Sequence, residues 1–274
     1  MKETVAELAL ALSLIFQALL QQSLLPDDFV SPIFKKGDRS KPANYRPVSL
    51  TCLCCKLIEH IITSSVISHL KHHNILTDAQ HGFHKQWSCK SQLVLTVRDL
   101  AQGIKEKSQL DVILLDFSKA FDKVAHARLL MKAAHYGVTG HTLSWIKQFL
   151  TGRHQKVVLN NECSNTTEVT SGVPQGTVLG PLLFLTFIND LLQGVTSSIR
   201  LCTDNCILYR KIESPADSVL CKMTSTPHKA GRKSGKWNFT QKSVSHCESP
   251  TNAMSFRWTT LFIVISMHWC GATQ

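Results

Sequence analysis

Residues 111–117 read DVILLDF, the clearest strand signal in the chain. The apolar residues are nearly continuous and partly β-branched, which is typical of a strand buried on both faces. Asp116 lies at its end. A second carboxylate, Asp204, lies 88 residues later between two short apolar runs, where the Asp-Asn dipeptide favours a tight hairpin turn. Carboxylates placed in these two ways can converge on one edge of a sheet.

Two converging carboxylates suit metal-assisted nucleotidyl transfer. That chemistry uses two Mg²⁺ ions roughly 4 Å apart, and such hard cations prefer oxygen ligands. Mn²⁺ can take the same ligands. A strand-end aspartate and a turn aspartate are also common structural residues, so their spacing alone leaves both interpretations open.

The remaining periodicity predicts a mixture of helices and strands. After an N-terminal helix, the predicted helices are 53–70, 89–107, 126–135, 141–150 and 182–192, and the further predicted strands are 45–50, 155–159, 166–170, 199–201 and 207–209. The Gly- and Pro-rich segment 171–181 is predicted as a loop. This order indicates an α+β fold and not a series of repeated βα units.

Composition sets wide limits on function. The 274 residues, 43% of them apolar, can form one large domain or two small ones. A formal charge of +11 suggests a polyanionic partner, but +6 of it follows residue 220, where seven basic residues face one acidic residue.

Polar residues interrupt the apolar run 5–25, so we expect no membrane span. Without a convincing secretory signal, we expect reduced thiols and a cytoplasmic or nuclear, not secreted, protein.

Five ordered segments carry a resemblance to a known family. They read PIFKKGDRSKPANYRPVSL (32–50), QHGF (80–83), LLDFSKAFDKV (114–124), SGVPQGTVLGPLLF (171–184) and CTDNCILYR (202–210). Together they resemble the fingers and palm motifs of reverse transcriptases from non-LTR (LINE-like) retrotransposons, over about residues 3–220. The resemblance implies a right-hand polymerase that extends a DNA primer on an RNA template with deoxynucleoside triphosphates.

The resemblance also implies which residues are catalytic. Asp116 and Asp204 would be the carboxylates that bind two Mg²⁺ ions. Asn205 stands at the second aspartate of the family's F/Y-A-D-D box, so one negative charge is missing and we expect impaired activity. Phe121 would lie under the sugar and exclude a 2′-hydroxyl, although by its sequence context alone it is also a plausible core residue.

Further residues would bind the nucleotide. Lys35 or Lys36, together with Arg46, would grip the triphosphate, a task that suits an ammonium and a guanidinium fork. Gln175 and Gly176 of the PQG motif would line the nucleotide and template pocket, since glycine allows close backbone approach. Without the family, the two lysines are ordinary loop charges and the PQG motif is an ordinary turn.

Beyond residue 220 the resemblance stops, and a frameshift is our hypothesis for the reason. Residues 236–251, KWNFTQKSVSHCESPT, can be encoded so that the frame two nucleotides later spells MELYPEKCQSLRVT, which looks like the family's continuation. We therefore expect an N-terminal helix at 1–29, fingers at 30–108, palm at 109–220, a frameshifted and ill-ordered tail at 221–274, and no thumb. Sequencing the locus tests this hypothesis.

Three alternatives remain open. The chain can be a non-catalytic nucleic-acid-binding fragment, or a non-functional retroelement relic whose truncation exposes core surface. Another right-hand polymerase, such as telomerase or an intron-encoded maturase, fits the carboxylates but fits the FSKAFDKV and SGVPQGTVLGPLLF segments less well. The sequence leaves the oligomeric state open.

Overall fold

The computed structural model describes residues 9–18, 28–83, 87–117, 119–192 and 195–217, and the backbone of 239–240 and 258–267. The chain forms two compact units, each made of two separate stretches. Unit 1 comprises Met1–Leu76 and Phe121–Ile188, and unit 2 comprises Thr77–Ala120 and Asn189–Gln274. Helices and sheets are mixed, so the predicted α+β class is confirmed. The predicted domain boundaries stay a prediction.

Unit 1 contains a mixed sheet of the strands β1 (Asp28–Phe34), β2 (Tyr45–Leu50), β4 (His154–Leu159), β5 (Glu162–Cys163) and β6 (Thr167–Glu168). β1 pairs antiparallel with β2, from Phe29 opposite Leu50 to Phe34 opposite Tyr45. β4 runs parallel to β1 on its other side. Of the residues predicted to bind a nucleotide, Arg46 lies on β2, and Lys35 and Lys36 directly follow β1.

The helices of unit 1 are α1 (Ala9–Ala18), α2 (Leu53–His72), α4 (His126–His135), α5 (Gly140–Leu150) and α6 (Leu179–Ile188). α6 is the central core helix, because nine of its ten residues are buried. α2 turns the buried side chains of Ile58, Ile62 and Val66 inward at a spacing of four residues. α2 and α4 both pack on α6.

α2 is long and apolar enough to cross a membrane by length and composition alone. A core helix meets the same criterion. Its buried face carries Glu59, whose carboxylate accepts hydrogen bonds from the backbone of α6's first turn. This contact agrees with packing inside unit 1.

Unit 2 contains α3 (Cys89–Lys105) and a sheet of β3 (Gln109–Phe117), β7 (Ser198–Cys202), β8 (Asn205–Ile212), β9 (Phe239–Thr240) and β10 (Trp258–Met267). The strand order is β7-β8-β3-β10-β9. β3 is central and is flanked on both sides over eight paired positions. The prediction that this strand is buried is confirmed, because six of its nine residues are buried.

One stretch of the tail forms a strand that we did not expect. We expected residues 221–274 to be ill-ordered, but β10 forms a ten-residue strand antiparallel to β3. Its sequence, WTTLFIVISM, is rich in β-branched and aromatic residues, which favour strands whatever reading frame produced them. The rest of the tail, apart from β9, lies outside the described residues. The frameshift itself stays a hypothesis.

Several element boundaries also differ from the expectations, most clearly around α6 and β6. α6 begins at Leu179, inside the segment predicted as a loop, because Thr177 Oγ1 accepts a hydrogen bond from Gly180 N at 3.1 Å and Pro181 is tolerated in the first turn. The predicted strand at 166–170 shortens to β6, and β5 was not predicted. Two-residue strands are too short for an alternating pattern.

Candidate active site

In unit 2, the predicted catalytic residues lie in the carboxylate hairpin, which comprises the end of β3, β7, β8 and the turn between β7 and β8. Asp116 of β3 lies directly opposite Asn205 of β8. The backbone N–H of Phe117 donates to the carbonyl oxygen of Asp204 at 3.1 Å. Cys202 pairs with Asn205 and closes a two-residue turn. Asp116, Asp204 and Asn205 are therefore neighbours at one end of adjacent strands.

The QHGF motif braces the turn of this hairpin. The side-chain oxygen of Gln80 accepts hydrogen bonds from Thr203 N at 3.0 Å and from Gly82 N at 2.7 Å. A Cβ atom on Gly82 would lie 2.6 Å from Thr203 Oγ1, so only glycine fits there. Thr203 has φ of +59°, a strained value for a β-branched residue. The motif was recognised in the sequence, but this role was not.

A polar cluster beneath the hairpin ties its two strands to α3. Asp99 of α3 accepts hydrogen bonds from Tyr209 OH at 2.6 Å and from Arg200 Nη2 at 3.0 Å. Burial raises the pKa of Asp99, but the hydrogen bonds from Tyr209, Arg200 and Arg98 outweigh it and hold the pKa below its ordinary value. The sequence analysis missed this cluster, because its members are scattered along the chain.

A disulfide also joins α3 to the hairpin. Cys89, the first residue of α3, is bonded to Cys202, the last residue of β7. The expectation that the thiols are reduced is therefore wrong for this pair. The physical reason is proximity: the two Cα atoms are 5.6 Å apart, within the range that a disulfide spans.

The hairpin offers oxygen ligands to a divalent cation. Asp116 is exposed and Asp204 is half-buried, and Asn205 is an exposed amide. Carboxylate and amide oxygens are donors that Mg²⁺ and Mn²⁺ accept, so the residues fit such an ion. Among the described residues, no group of three or more His, Cys, Asp or Glu side chains could hold a metal. A third carboxylate is what Asn205 fails to supply.

In unit 1, the first predicted nucleotide-binding residues lie at the β1–β2 ribbon. Lys35 and Lys36 follow β1 directly, and both are exposed. Lys35 N donates to Asn44 O at 2.9 Å, which continues the ladder beyond the strand end. Arg46 of β2 lies opposite Ile33 and is also exposed. The ribbon thus brings the three predicted cationic residues to one end of a two-stranded element.

The PQG loop, residues 171–178, packs against the same ribbon. Ser49 N donates to Gln175 O at 2.8 Å. Gly176 has φ of +88°, and a Cβ atom there would lie 2.7 Å from Val48 Cγ1. Both features require glycine. The loop's other side contacts the predicted sugar-contacting residue, because Val173 N donates to Phe121 O at 2.8 Å.

Phe121 itself stacks on Phe184 of α6, with the ring centroids 4.7 Å apart. It is half-buried, so one part of the ring packs in the core and another part is accessible. The six predicted nucleotide-binding residues all belong to unit 1, and the three predicted catalytic residues all belong to unit 2.

Glu59 holds the end of the PQG loop and was not predicted. Its Oε2 accepts hydrogen bonds from Val178 N at 2.7 Å and Leu179 N at 3.0 Å, so it caps α6. The residue is 1% exposed. Burial raises its pKa above the ordinary value, although the two backbone hydrogen bonds lower it in part.

Comparison with known proteins shows the family to which this sequence belongs. Residues 33–234 match the family described as "Reverse transcriptase (RNA-dependent DNA polymerase)". Over 73% of its length the chain is 29% identical to "Probable RNA-directed DNA polymerase from transposon X-element" of Drosophila melanogaster. Over 66% it is 32% identical to the corresponding protein from transposon BS of the same species, and 30% identical to the polymerase from mobile element jockey of Drosophila funebris.

The chain therefore belongs to the reverse transcriptase family. Its relatives are RNA-directed DNA polymerases of non-LTR retrotransposons, and it is a reverse transcriptase domain of that kind. The chain spans 23% of the X-element protein and 20% of the BS and jockey proteins.

Proposed function

We propose that this chain is the polymerase portion of a non-LTR retrotransposon protein, which extends a DNA primer on an RNA template by nucleotidyl transfer. The observation that carries the proposal is the register of Asp116 opposite Asn205, with Asp204 in the adjoining turn. In this assignment the sheet of unit 2 belongs to the palm and the β1–β2 ribbon belongs to the fingers.

Asp116 and Asp204 are the residues that would hold Mg²⁺, or Mn²⁺ in its place. Two such ions, when bound, lower the pKa of the attacking hydroxyl and stabilise the charge on the leaving pyrophosphate. The chain's task is to present carboxylate oxygens from a rigid frame. Gln80 and the Asp99 cluster support that task, because they fix the turn and both strands of the hairpin.

The unit 1 residues would bind the incoming deoxynucleoside triphosphate. The exposed charges of Lys35 or Lys36 and of Arg46 attract a polyanion. Phe121 would exclude a 2′-hydroxyl, and Gln175 with Gly176 would line the nucleotide and template pocket. The substrates imply a cytoplasmic or nuclear site of action and no membrane partner.

Asn205 makes this copy an impaired enzyme. An amide supplies an oxygen but no negative charge to balance a dication cluster. Loss of one preorganised electrostatic contact of this kind costs about 10²- to 10³-fold in rate. The frameshift hypothesis adds the loss of the thumb and of a later motif with a lysine that would protonate the leaving pyrophosphate.

Primer extension tests the proposal. The assay compares the natural chain, Asn205→Asp, and Asn205→Asp combined with Asp116→Asn, each also in a repaired reading frame, on an RNA template with Mg²⁺ and with Mn²⁺. We expect Asn205→Asp to raise synthesis by about 10²-fold in the repaired frame, and Asp116→Asn to abolish it. Equal rates in the natural and repaired proteins would overturn the account of the damage, and synthesis that survives Asp116→Asn would overturn the site.

A non-catalytic nucleic-acid-binding role is the second candidate, and Asn205 is the observation that favours it. Such a protein would bind primer–template, but neither Asn205→Asp nor frame repair would give synthesis. If no soluble, cooperatively unfolding protein can be obtained, the chain is a relic.

A further inference from the structure

The carboxylate of Asp122 has no part in the function proposed above, yet it contacts a residue that does. Asp122 Oδ1 accepts a hydrogen bond from Gln175 Nε2 at 2.8 Å. The two residues are 53 positions apart, and both belong to unit 1. Asp122 also directly follows Phe121 in the sequence.

The backbone around Asp122 is joined to the PQG loop by several contacts. Ser171 Oγ donates to Asp122 O at 3.0 Å, and Gly172 N donates to Val124 O at 2.8 Å. Gly172 has φ of +94°, and a Cβ atom there would lie 2.9 Å from Asp122 O. The two segments are thus too close for any side chain between them, so Asp122 has little freedom to move away from the loop.

We propose that Asp122 is a positioning residue that sets which end of the Gln175 amide faces a bound nucleotide. An ionised carboxylate is acceptor-only, so the Gln175 group that contacts it must be the NH₂ donor. The carbonyl oxygen Oε1 is then left to accept from a donor of the ligand, such as a sugar hydroxyl or a base N–H. Without Asp122, the amide can rotate by half a turn and offer either group.

A cavity of about 150 Å³ lies beside the pair, and the side chains of Asp122, Arg153 and Gln175 all line it. Burial lowers the pKa of Arg153 to about 10, so its guanidinium stays positive at neutral pH. The cavity that the pair borders therefore also carries a cationic side chain. The backbone of Gln175 is held independently by Ser49 N, so Asp122 controls the orientation of the side chain.

The first experiment needs no polymerase activity. The Gln175 side-chain NH₂ signals are followed by NMR in the ¹⁵N-labelled natural chain, with Gln175→Ala to assign them. We expect slowed exchange of one proton in the natural chain, at least about tenfold faster exchange in Asp122→Leu, and partial protection in Asp122→Asn, which keeps an acceptor. Glu162→Gln, an exposed carboxylate in the same unit, is the control. Unchanged exchange in Asp122→Leu would overturn the proposal.

The second experiment measures the nucleotide, and in this respect the inference rests on the proposed function. Binding of a deoxynucleoside triphosphate to a chain-terminated primer–template complex is compared for the natural chain, Asp122→Ala, Gln175→Ala and the double variant. We expect about tenfold weaker binding in each single variant and no further loss in the double variant.

The combined results separate the possible failures. Additive losses would mean that Asp122 acts independently of Gln175, and would overturn the proposal. If the natural chain binds no nucleotide at all, the proposed function fails, and the NMR result still decides whether Asp122 orients the amide. Asp122→Asn keeps the shape of the side chain, so it separates loss of charge from misfolding.

Discussion

The PQG loop of unit 1 and the carboxylate hairpin of unit 2 differ in what they keep of a polymerase. The PQG loop keeps both its residues and its supports, which are Glu59, Ser49 and Asp122. The carboxylate hairpin keeps its supports but carries Asn205 at a position where the resemblance of the sequence motifs implies aspartate. The difference teaches that a backbone frame does not depend on one side-chain charge, because strand pairing and helix caps form whether or not that charge is present.

The largest expected effect concerns Asp204, the carboxylate in the turn of the hairpin. In the Asn205→Asp protein with a repaired frame, Asp204→Asn should lower primer extension by about 10²-fold or more, because it removes a charge that would help to hold the metal ions. Asp78→Asn, an exposed carboxylate in the same unit, is the control and should change the rate less than about twofold. If both variants behave alike, the hairpin is not the catalytic region of this chain.

A smaller effect is expected at the closest backbone approach of the PQG loop. Gly176→Ala should lower the free energy of unfolding by about 2–4 kcal/mol, because it combines left-handed backbone strain with a clash against Val48. Gly152 has φ of +71° but open space around it, so Gly152→Ala should cost only about 1–2 kcal/mol. Chemical denaturation measures both, and equal losses would show that the loop is not packed as described.

The next effect concerns the preference for deoxynucleotides over ribonucleotides, and it tests the proposed role of Phe121. Phe121→Val should lower the preference for deoxynucleotides over ribonucleotides by about tenfold, because a smaller side chain leaves room for a 2′-hydroxyl. Phe184→Leu disturbs the same ring stack from the core side and should leave the preference unchanged. Single-nucleotide incorporation with both substrates, in the repaired Asn205→Asp protein, measures the ratio. A similar shift in both variants would mean that Phe121 is a core residue only.

The smallest effect is a pH dependence at Glu59. Its pKa is raised in the folded state above the ordinary 4.5, so the folded state holds its proton more tightly than the unfolded state. The stability that protonated Glu59 contributes is therefore fully present below pH 4.5. This stability is lost as the pH rises through the pKa of Glu59 in the folded state. Glu59→Gln keeps an oxygen for both α6 amides but cannot ionise, so the natural chain should lose stability relative to it over that range. Denaturation curves at several pH values measure the unfolding free energy of both proteins. A difference between the two that does not change with pH would contradict the prediction.

Local patterns predicted the elements near the candidate residues of each unit. α4 was predicted with the bounds His126–His135 and β2 with Tyr45–Leu50, because a glycine stop and a short β-rich segment act over a few residues. The order of Asp116 and Asp204 on a strand and a hairpin was predictable for the same reason.

Contacts between distant residues were beyond sequence patterns. Nothing local marks Glu59 as the cap of a helix about 120 positions later, or Cys89 as the partner of Cys202 113 positions away. β10 was not predicted, because it forms by pairing with an open edge of β3. We expected residues 221–274 to be frameshifted, so we expected no strand there to pair with that edge. Such contacts arise only when the fold brings the segments together.

The most direct test of the central claim is Mn²⁺ binding measured by electron paramagnetic resonance. It asks whether Asp116 and Asp204 form one cation site, and it needs no synthesis. The account predicts that Asp116→Asn and Asp204→Asn each weaken binding by at least about tenfold, that Asn205→Asp tightens it by about tenfold, and that Asp78→Asn changes nothing. Mn²⁺ binding that is the same in the natural chain and in Asp116→Asn would contradict it.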